Sequence, residues 1–194
     1  MPFEKVTDEQ FWAGVLRRIT KALDEYYRKA SKRGDTRAQV MAHEASKGFG
    51  FLELCNKRYD VVATNPPYMG SKNMGKELKE YVQSVYPEGK RDLYASFIQR
   101  NRERVKGQGI VAMVTRSQWM TLSAFKHLRE LLLSNSLLGL LADLGSNSFS
   151  DVLHAGVKSA LIIIYARKPQ ENDYLTALSA LQGNSSLEKR TLIL

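Results

Sequence analysis

The stretch Tyr59-Asp60-Val61-Val62-Ala63-Thr64-Asn65-Pro66-Pro67-Tyr68 decides how the rest of the chain is read. A largely apolar, β-branched run that stops at a double proline reads as a buried strand ending in a rigid loop. Proline cannot donate to a sheet ladder and holds φ at about −65°. The side chain of Asn65 is therefore presented at a strand tip. Its amide oxygen and the carbonyl of Pro66 offer two acceptors with nothing between them, and Tyr68 adds a flat aromatic face. Such a set suits a planar group that carries an NH2.

An amine of that kind, as on adenine, is a poor nucleophile because its lone pair is delocalised into the ring. Two acceptors on its two hydrogens pull the nitrogen toward tetrahedral geometry. Asn65 Oδ1 and the Pro66 carbonyl would bind best as positive charge develops during attack on a sulfonium methyl group, which is transition-state stabilisation by preorganised dipoles. No metal or general base is required. A base inside a duplex must first be flipped out, and stacking on an aromatic such as Tyr68 offsets part of that cost.

The wider stretch Arg58-Tyr-Asp-Val-Val-Ala-Thr-Asn-Pro-Pro-Tyr-Met-Gly-Ser-Lys72, followed by Gly89-Lys-Arg-Asp-Leu-Tyr-Ala-Ser-Phe-Ile98, resembles the large adenine-specific DNA methyltransferases of the BREX or phage-growth-limitation type. The likeness covers roughly Phe11 to Arg167. It implies an α/β, Rossmann-like S-adenosylmethionine-dependent methyltransferase fold, here partial: the catalytic half of the sheet with N-terminal helices. It also implies that Asn65, Pro66, Pro67 and Tyr68 hold the target amine. Phe149, in the segment Gly145 to Gly156, matches a family position whose aromatic stacks on the flipped adenine. The competing reading is a loop phenylalanine packed into the core. The partners implied are double-stranded DNA and proteins of a defence system. Asn-Pro-Pro-Tyr also occurs in protein-glutamine and ribosomal-RNA amine methyltransferases, so those substrates stand as alternatives, as does a non-catalytic DNA-binding remnant. A chance strand before a Pro-Pro turn is the bland alternative.

Composition agrees with part of a cytoplasmic enzyme. The 194 residues are 43% hydrophobic, enough for a core. The single cysteine, Cys55, rules out an internal disulfide and reads as a reduced, buried residue. No charge-free run approaches ~18 residues, so no membrane span is expected, and Met1-Pro2-Phe3-Glu4 does not open a signal peptide. The net charge of +9 suits a polyanion. Between Asn65 and Arg116 lie ten Lys/Arg and five Asp/Glu, so the excess is concentrated around the proposed loop. Lys72, Lys76, Lys79, Lys90, Arg91 and Arg116 are candidates for phosphate contact, against the alternative of a solvated helix face.

Three regions are expected: helices over 1–58, the catalytic half over 59–168, and a segment over 169–194 leading to a recognition region. Thr7-x-x-Gln10 can form a capping box, and Trp12, Leu16, Ile19, Leu23 and Tyr26 recur at helical spacing, with Trp12 and Tyr26 expected in the core. A second helix from about Thr36 to Lys47 is expected to stop at Gly48, and its His43 has no ligand-like neighbour at metal spacing. Met69 to Asn73 is expected to be mobile. Helices follow over Glu77–Val85, Leu93–Val105 and Thr121–Ser134, the last with Leu122, Phe125, Leu128 and Leu132 at core spacing. Strands are expected at Ile110–Thr115, Leu137–Leu144 and Val157–Tyr165, giving a mainly parallel sheet that ends in an antiparallel hairpin as the resemblance implies. His154 reads as a loop residue.

The cofactor motifs that the resemblance calls for lie upstream of Asn-Pro-Pro-Tyr in that family, and the 64 residues before Asn65 read as helices. Gly48-Phe49-Gly50 and Asp143-Leu144-Gly145-Ser146 are imperfect imitations of the glycine turn. The expectation is a fragment of a longer chain, without an S-adenosylmethionine motif and inactive alone.

Overall fold

A computed structural model describes residues 8–148 and 156–193, so Phe149 and His154 lie outside the described residues. The chain divides into two compact units, with the boundary between Lys57 and Arg58. The first is a helical hairpin of α1 (Asp8–Lys32) and α2 (Thr36–Asn56). The turn between them uses Gly34 at φ +71°, a left-handed conformation that favours glycine. Asp35 then caps α2, its carboxylate accepting from Ala38 N at 3.0 Å.

Three expectations for this hairpin fail. Tyr26 is 55% exposed, because the buried positions of the pair are Leu16, Ala30, Ala38 and Ala42. The helix α2 runs through Gly48 and Gly50 to Asn56. Glycine ends a helix where the chain turns left-handed, and neither of these does. Cys55 is free and half-buried rather than buried. His43 is exposed, with its ring 6.3 Å from that of Tyr27.

The second unit is a five-stranded sheet of β1 (Tyr59–Thr64), β2 (Val105–Arg116), β3 (Leu137–Gly145), β4 (Ser159–Tyr165) and β5 (Thr176–Ser179), in the order β1-β2-β4-β3-β5. β1 pairs parallel with β2, and β5 parallel with β3, while β4 runs antiparallel to both β2 and β3. The antiparallel β3–β4 pair is present as expected, but the sheet is mixed rather than mainly parallel. β4 enters between two strands that precede it in the chain, a pairing of distant segments that no local pattern encodes.

The helices α3 (Lys76–Val85), α4 (Leu93–Arg104), α5 (Gln118–Thr121), α6 (Lys126–Asn135) and α7 (Ser186–Ile193) complete the unit. Tyr94, Ala95 and Ile98 of α4 and Leu128 and Leu132 of α6 pack with Val111 and Met113 of β2 and Ile162 and Ile164 of β4 in one apolar cluster. Burial of each large aliphatic side chain there contributes about 1.5–3 kcal/mol before entropy. The expected helix at Thr121–Ser134 is broken. Leu122 is extended (φ −68°, ψ 137°) and 46% exposed, a 3₁₀ turn over Ser123–Phe125 follows, and Arg129 Nη1 ties the break by donating to the carbonyls of Trp119 and Leu122.

The strand β2 begins five residues before its expected start. Arg104 ends α4, and Val105 is already extended and opposite Tyr59. The register then shifts so that Val61 faces Ile110, and the extra residues form a bulge. Gly109 sits inside it, where a Cβ would lie 2.8 Å from Val105 Cβ and 2.9 Å from the Asp60 carbonyl oxygen. Lys106 Nζ reaches across to Asp60 at 2.7 Å. After β4, Arg167 grips Asp173 through two bonds of 2.6 Å and holds its carboxyl down at about 2. This turn leads to β5 and α7, which show no periodic apolar signal: every residue of β5 is exposed.

Candidate active site at the tip of the first strand

Parallel β1 and β2 bring their C-terminal ends together, with Thr64 opposite Met113 and Arg116 three residues beyond. Asn101, a buried residue of α4, donates from Nδ2 to Thr64 Oγ1 at 2.9 Å and so fixes the residue immediately before Asn65. Nothing in the motif pointed to Asn101. Its only sequence signal is a polar amide among the core residues of a helix. Asn65 itself is exposed, Pro66 is buried and Pro67 is exposed. Its position leaves the Asn65 amide available to a ligand while the proline behind it is anchored.

The loop after the prolines is not loose, contrary to expectation. Leu93 N donates to the Met69 carbonyl and Ser71 N to the Arg91 carbonyl, both at 2.9 Å, with Gly70 and Asp92 forming an antiparallel bridge. Asn73 N closes a turn on the Gly70 carbonyl, and Met74 is buried. The two motif segments quoted from the sequence are thus one structure, held by backbone bonds that residue identity does not reveal. Gly89 completes it by lying against the first turn of α4. Its N–H donates to Gln99 Oε1 at 2.9 Å and its carbonyl accepts from Ser96 Oγ at 3.1 Å.

Tyr68 is half-buried, with its ring edge-on to Tyr94 at 5.9 Å and 83°. Its hydroxyl is buried without a hydrogen-bond partner. Burial pushes this phenol's pKa up, while Ser159, close but outside hydrogen-bonding geometry, and the positive charge of Arg116 pull it down. Burial likewise pushes up the Asp92 carboxyl, against the N–H of Tyr94 and the charge of Arg116.

Five of the six candidate cations, Lys72, Lys76, Lys79, Lys90 and Arg91, are exposed, and among the described residues none of the five has an ion-pair partner. Lys90 and Arg91 line an open cleft with Pro87, Glu88, Ala124 and His127. Arg116 differs. It is half-buried, its Nε is enclosed without a partner, and its charge acts on Tyr68, Asp92 and Tyr94.

Among the described residues, those before β1 form α1 and α2, no strand pairs with the other edge of β1, and Gly48-Phe49-Gly50 lies within α2. Gly145, at φ +63° after β3, has the conformation of a turn, but its surroundings are filled: a Cβ there would lie 2.8 Å from Leu181 Cδ2, and Lys189 Nζ donates to the carbonyls of Leu144 and Ala180. No group of three or more His, Cys, Asp and Glu residues suited to a metal occurs among the described residues. No described helix is long and apolar enough to cross a membrane.

A partial, open Rossmann-like sheet carrying an Asn-Pro-Pro-Tyr loop at a strand tip is the class of protein that these elements define. The model of the Eco57I restriction-modification methylase family matches residues 6–149, and the chain belongs to that family. It is 39% identical over 115 residues to the adenine-specific methyltransferase PglX of Lacticaseibacillus casei (strain Zhang), covering 59% of this chain and 10% of that protein. It is 34% identical over 142 residues to the adenine-specific methyltransferase BrxX of Escherichia coli O9:H4 (strain HS), covering 73% of this chain and 12% of the relative. The chain thus spans about a tenth of the length of these curated relatives. Among solved structures, the type ISP restriction-modification enzyme LlaGI, in complex with a DNA substrate mimic, superposes with a TM-score of 0.55 at 13% identity, over 77% of this chain and 17% of its own. The type IIL enzyme MmeI, in complex with DNA, gives 0.54 at 17% identity, over 70% and 19%. At such identities the likeness is one of fold.

Proposed function

We propose that this chain is the target-amine half of a DNA methyltransferase that modifies the exocyclic amine of a flipped-out adenine, in phage defence or restriction-modification. One observation carries the reading: Asn65 stands exposed at the end of β1, on a Pro-Pro loop tied by backbone bonds to residues 91–93. Asn65 Oδ1 and the Pro66 carbonyl accept the two amine hydrogens, and Tyr68 offers the base a ring edge-braced by Tyr94. Phe149 is the second stacking residue in this reading. S-adenosylmethionine supplies the methyl group and is held outside the described residues. Residues 1–58 form a helical region before the catalytic strand, 59–168 the catalytic half, and 169–194 a lead into a recognition region. The setting is the cytoplasm, with double-stranded DNA and defence-system proteins as partners.

Calorimetry with S-adenosylmethionine tests the division of labour. The chain alone shows no binding heat, and joined to a cofactor-binding half it incorporates a tritiated methyl group into adenine of DNA. Cofactor binding by the chain alone overturns the half-site reading, and incorporation into a glutamine peptide or RNA but not DNA overturns the substrate.

DNA binding by the chain is expected to rest on Lys72, Lys76, Lys79, Lys90 and Arg91, all exposed near the loop. Each phosphate neutralised contributes a slope of about −0.9 in log K against log salt. With all five engaged, affinity falls on the order of 10²- to 10³-fold between about 50 and 200 mM salt. A fluorescence-anisotropy titration that shows no salt dependence rules out this surface.

A further inference from the structure

Asn101 is a polar residue at a core position. It follows Tyr94 and Ile98 at spacings of four and three along the buried face of α4, and it is 6% exposed. An amide in such a place costs free energy unless its donors are met, and an aliphatic side chain would fill the space without that cost. Its nitrogen carries two hydrogens and meets two acceptors. Nδ2 donates to Thr64 Oγ1 at 2.9 Å and to Met113 Sδ at 3.3 Å. A thioether accepts and does not donate, so the nitrogen of this amide, not its oxygen, is the atom that suits Met113. Thr64 and Met113 are themselves partners in the parallel pairing of β1 with β2. One buried amide therefore spans the last rung of that pair.

We propose that Asn101 is a positioning residue for the amine-binding loop: its amide clips the ends of β1 and β2 together and so sets the direction in which the chain leaves Thr64 for Asn65. The placement of β1 explains why a clip is needed there. Among the described residues β1 is an edge strand, and its Val61 and Ala63 are exposed. Its hold on the rest of the unit comes from the other face, where Val62 packs on the core cluster and Thr64 bonds to α4. The next residue is Asn65, and after it the chain is stiff. With φ fixed at Pro66 and Pro67, the loop has little freedom to absorb an error in the direction of the strand, so a displaced Thr64 displaces the Asn65 acceptor too. The clip is a feature of the fold, whereas its part in methyl transfer rests on the proposed function.

The test is a double-mutant cycle of Asn101→Leu and Thr64→Val, two changes of similar shape that remove the donor and the acceptor of one bond, with Thr64→Ser keeping the acceptor. In the chain assembled with a cofactor-binding half, each single variant is expected to slow single-turnover methyl transfer to adenine in DNA by about 10- to 100-fold, as a small misplacement of a reacting group does. The half-saturating DNA concentration stays within about twofold of wild type, since the loss falls on the reacting geometry and not on binding. The double variant loses no more than the slower single one, and Thr64→Ser stays close to the wild-type rate. In NMR spectra of the 194-residue chain, Asn101→Leu moves the Asn65 backbone amide resonance, and it does so in the Thr64→Ser background but not in the Thr64→Val background. Rate losses that multiply, a Thr64→Ser variant as slow as Thr64→Val, a loss confined to DNA affinity, or an Asn65 resonance that Asn101→Leu leaves in place would each overturn the assignment. Urea unfolding identifies the variants that are folded under the assay conditions, and Asn101→Ala takes the place of Asn101→Leu in the cycle if the latter is not. An assembled protein that does not methylate adenine defeats the proposed function and leaves the resonance cycle to decide the clip.

Discussion

Replacing Asn65 with alanine lowers methyl transfer on the order of 10²-fold or more when the chain is assembled with a cofactor-binding half. The side chain stands exposed at the end of β1, so the change removes no core contact and stability stays close to wild type. What is lost is an acceptor aimed at an amine that gains positive charge as it reacts, and one such preorganised group is worth about 2.7–4 kcal/mol in the transition state. The loss falls on kcat more than on KM, because the interaction strengthens only as the bond forms. Tritiated-methyl incorporation under single-turnover conditions reads it, and a variant that works at the wild-type rate removes Asn65 from the mechanism. Tyr68→Phe serves as the contrast. The ring keeps its edge contact with Tyr94 and the hydroxyl it loses has no hydrogen-bond partner, so most of the rate survives, while Tyr68→Ala loses the aromatic face and the activity with it.

Gly89→Ala destabilises the chain by about 3 kcal/mol or more, toward the upper end of what overpacking costs. A Cβ at this position would lie 2.6 Å from Ser96 N, 2.7 Å from the Ala95 carbonyl carbon and 2.8 Å from its oxygen, all backbone atoms of α4 that cannot swing aside. Relief requires moving α4 away from the turn before it, and that shift displaces Asp92 and the bonds from residues 91 and 93 to the loop. Urea unfolding checks the stability, and Gly107→Ala, where a Cβ meets nothing within 4 Å, is the control. Equal midpoints for the two variants would show that Gly89 is not pressed against the helix.

The fold was legible where local chemistry dictates conformation. The β-branched run before two prolines specified β1 and the loop at its end, and the apolar runs marked β3 and β4 within two residues. The expected burial of β1 fails: it lies at the sheet edge with no residue fully buried and Val61 57% exposed, because a strand paired on one side only leaves part of its surface uncovered. Such signals failed where a residue's meaning depends on its surroundings. Gly48 and Gly50 have the identity of helix stops but sit in a helix that continues, and Leu122 has the spacing of a core residue but falls at a break between two helical turns. The short strand β5 carries no alternation because neither of its faces is covered.

The sequence by itself determined the chemistry on offer, an amide acceptor, a proline-stiffened carbonyl and a tyrosine at a strand tip, because that loop is a matter of consecutive residues and fixed φ angles. Only the tertiary structure decided what supports it. Asn101 meets Thr64 across 37 positions of chain, and Arg116, opposite Ser159 in the β2–β4 pairing, is half-buried with its Nε enclosed, whereas the other five candidate cations are exposed. These placements join residues far apart in sequence, created when β2 and β4 pair and α4 packs against them, and a charge carries no mark along the chain of whether it will stand in solvent or be partly enclosed.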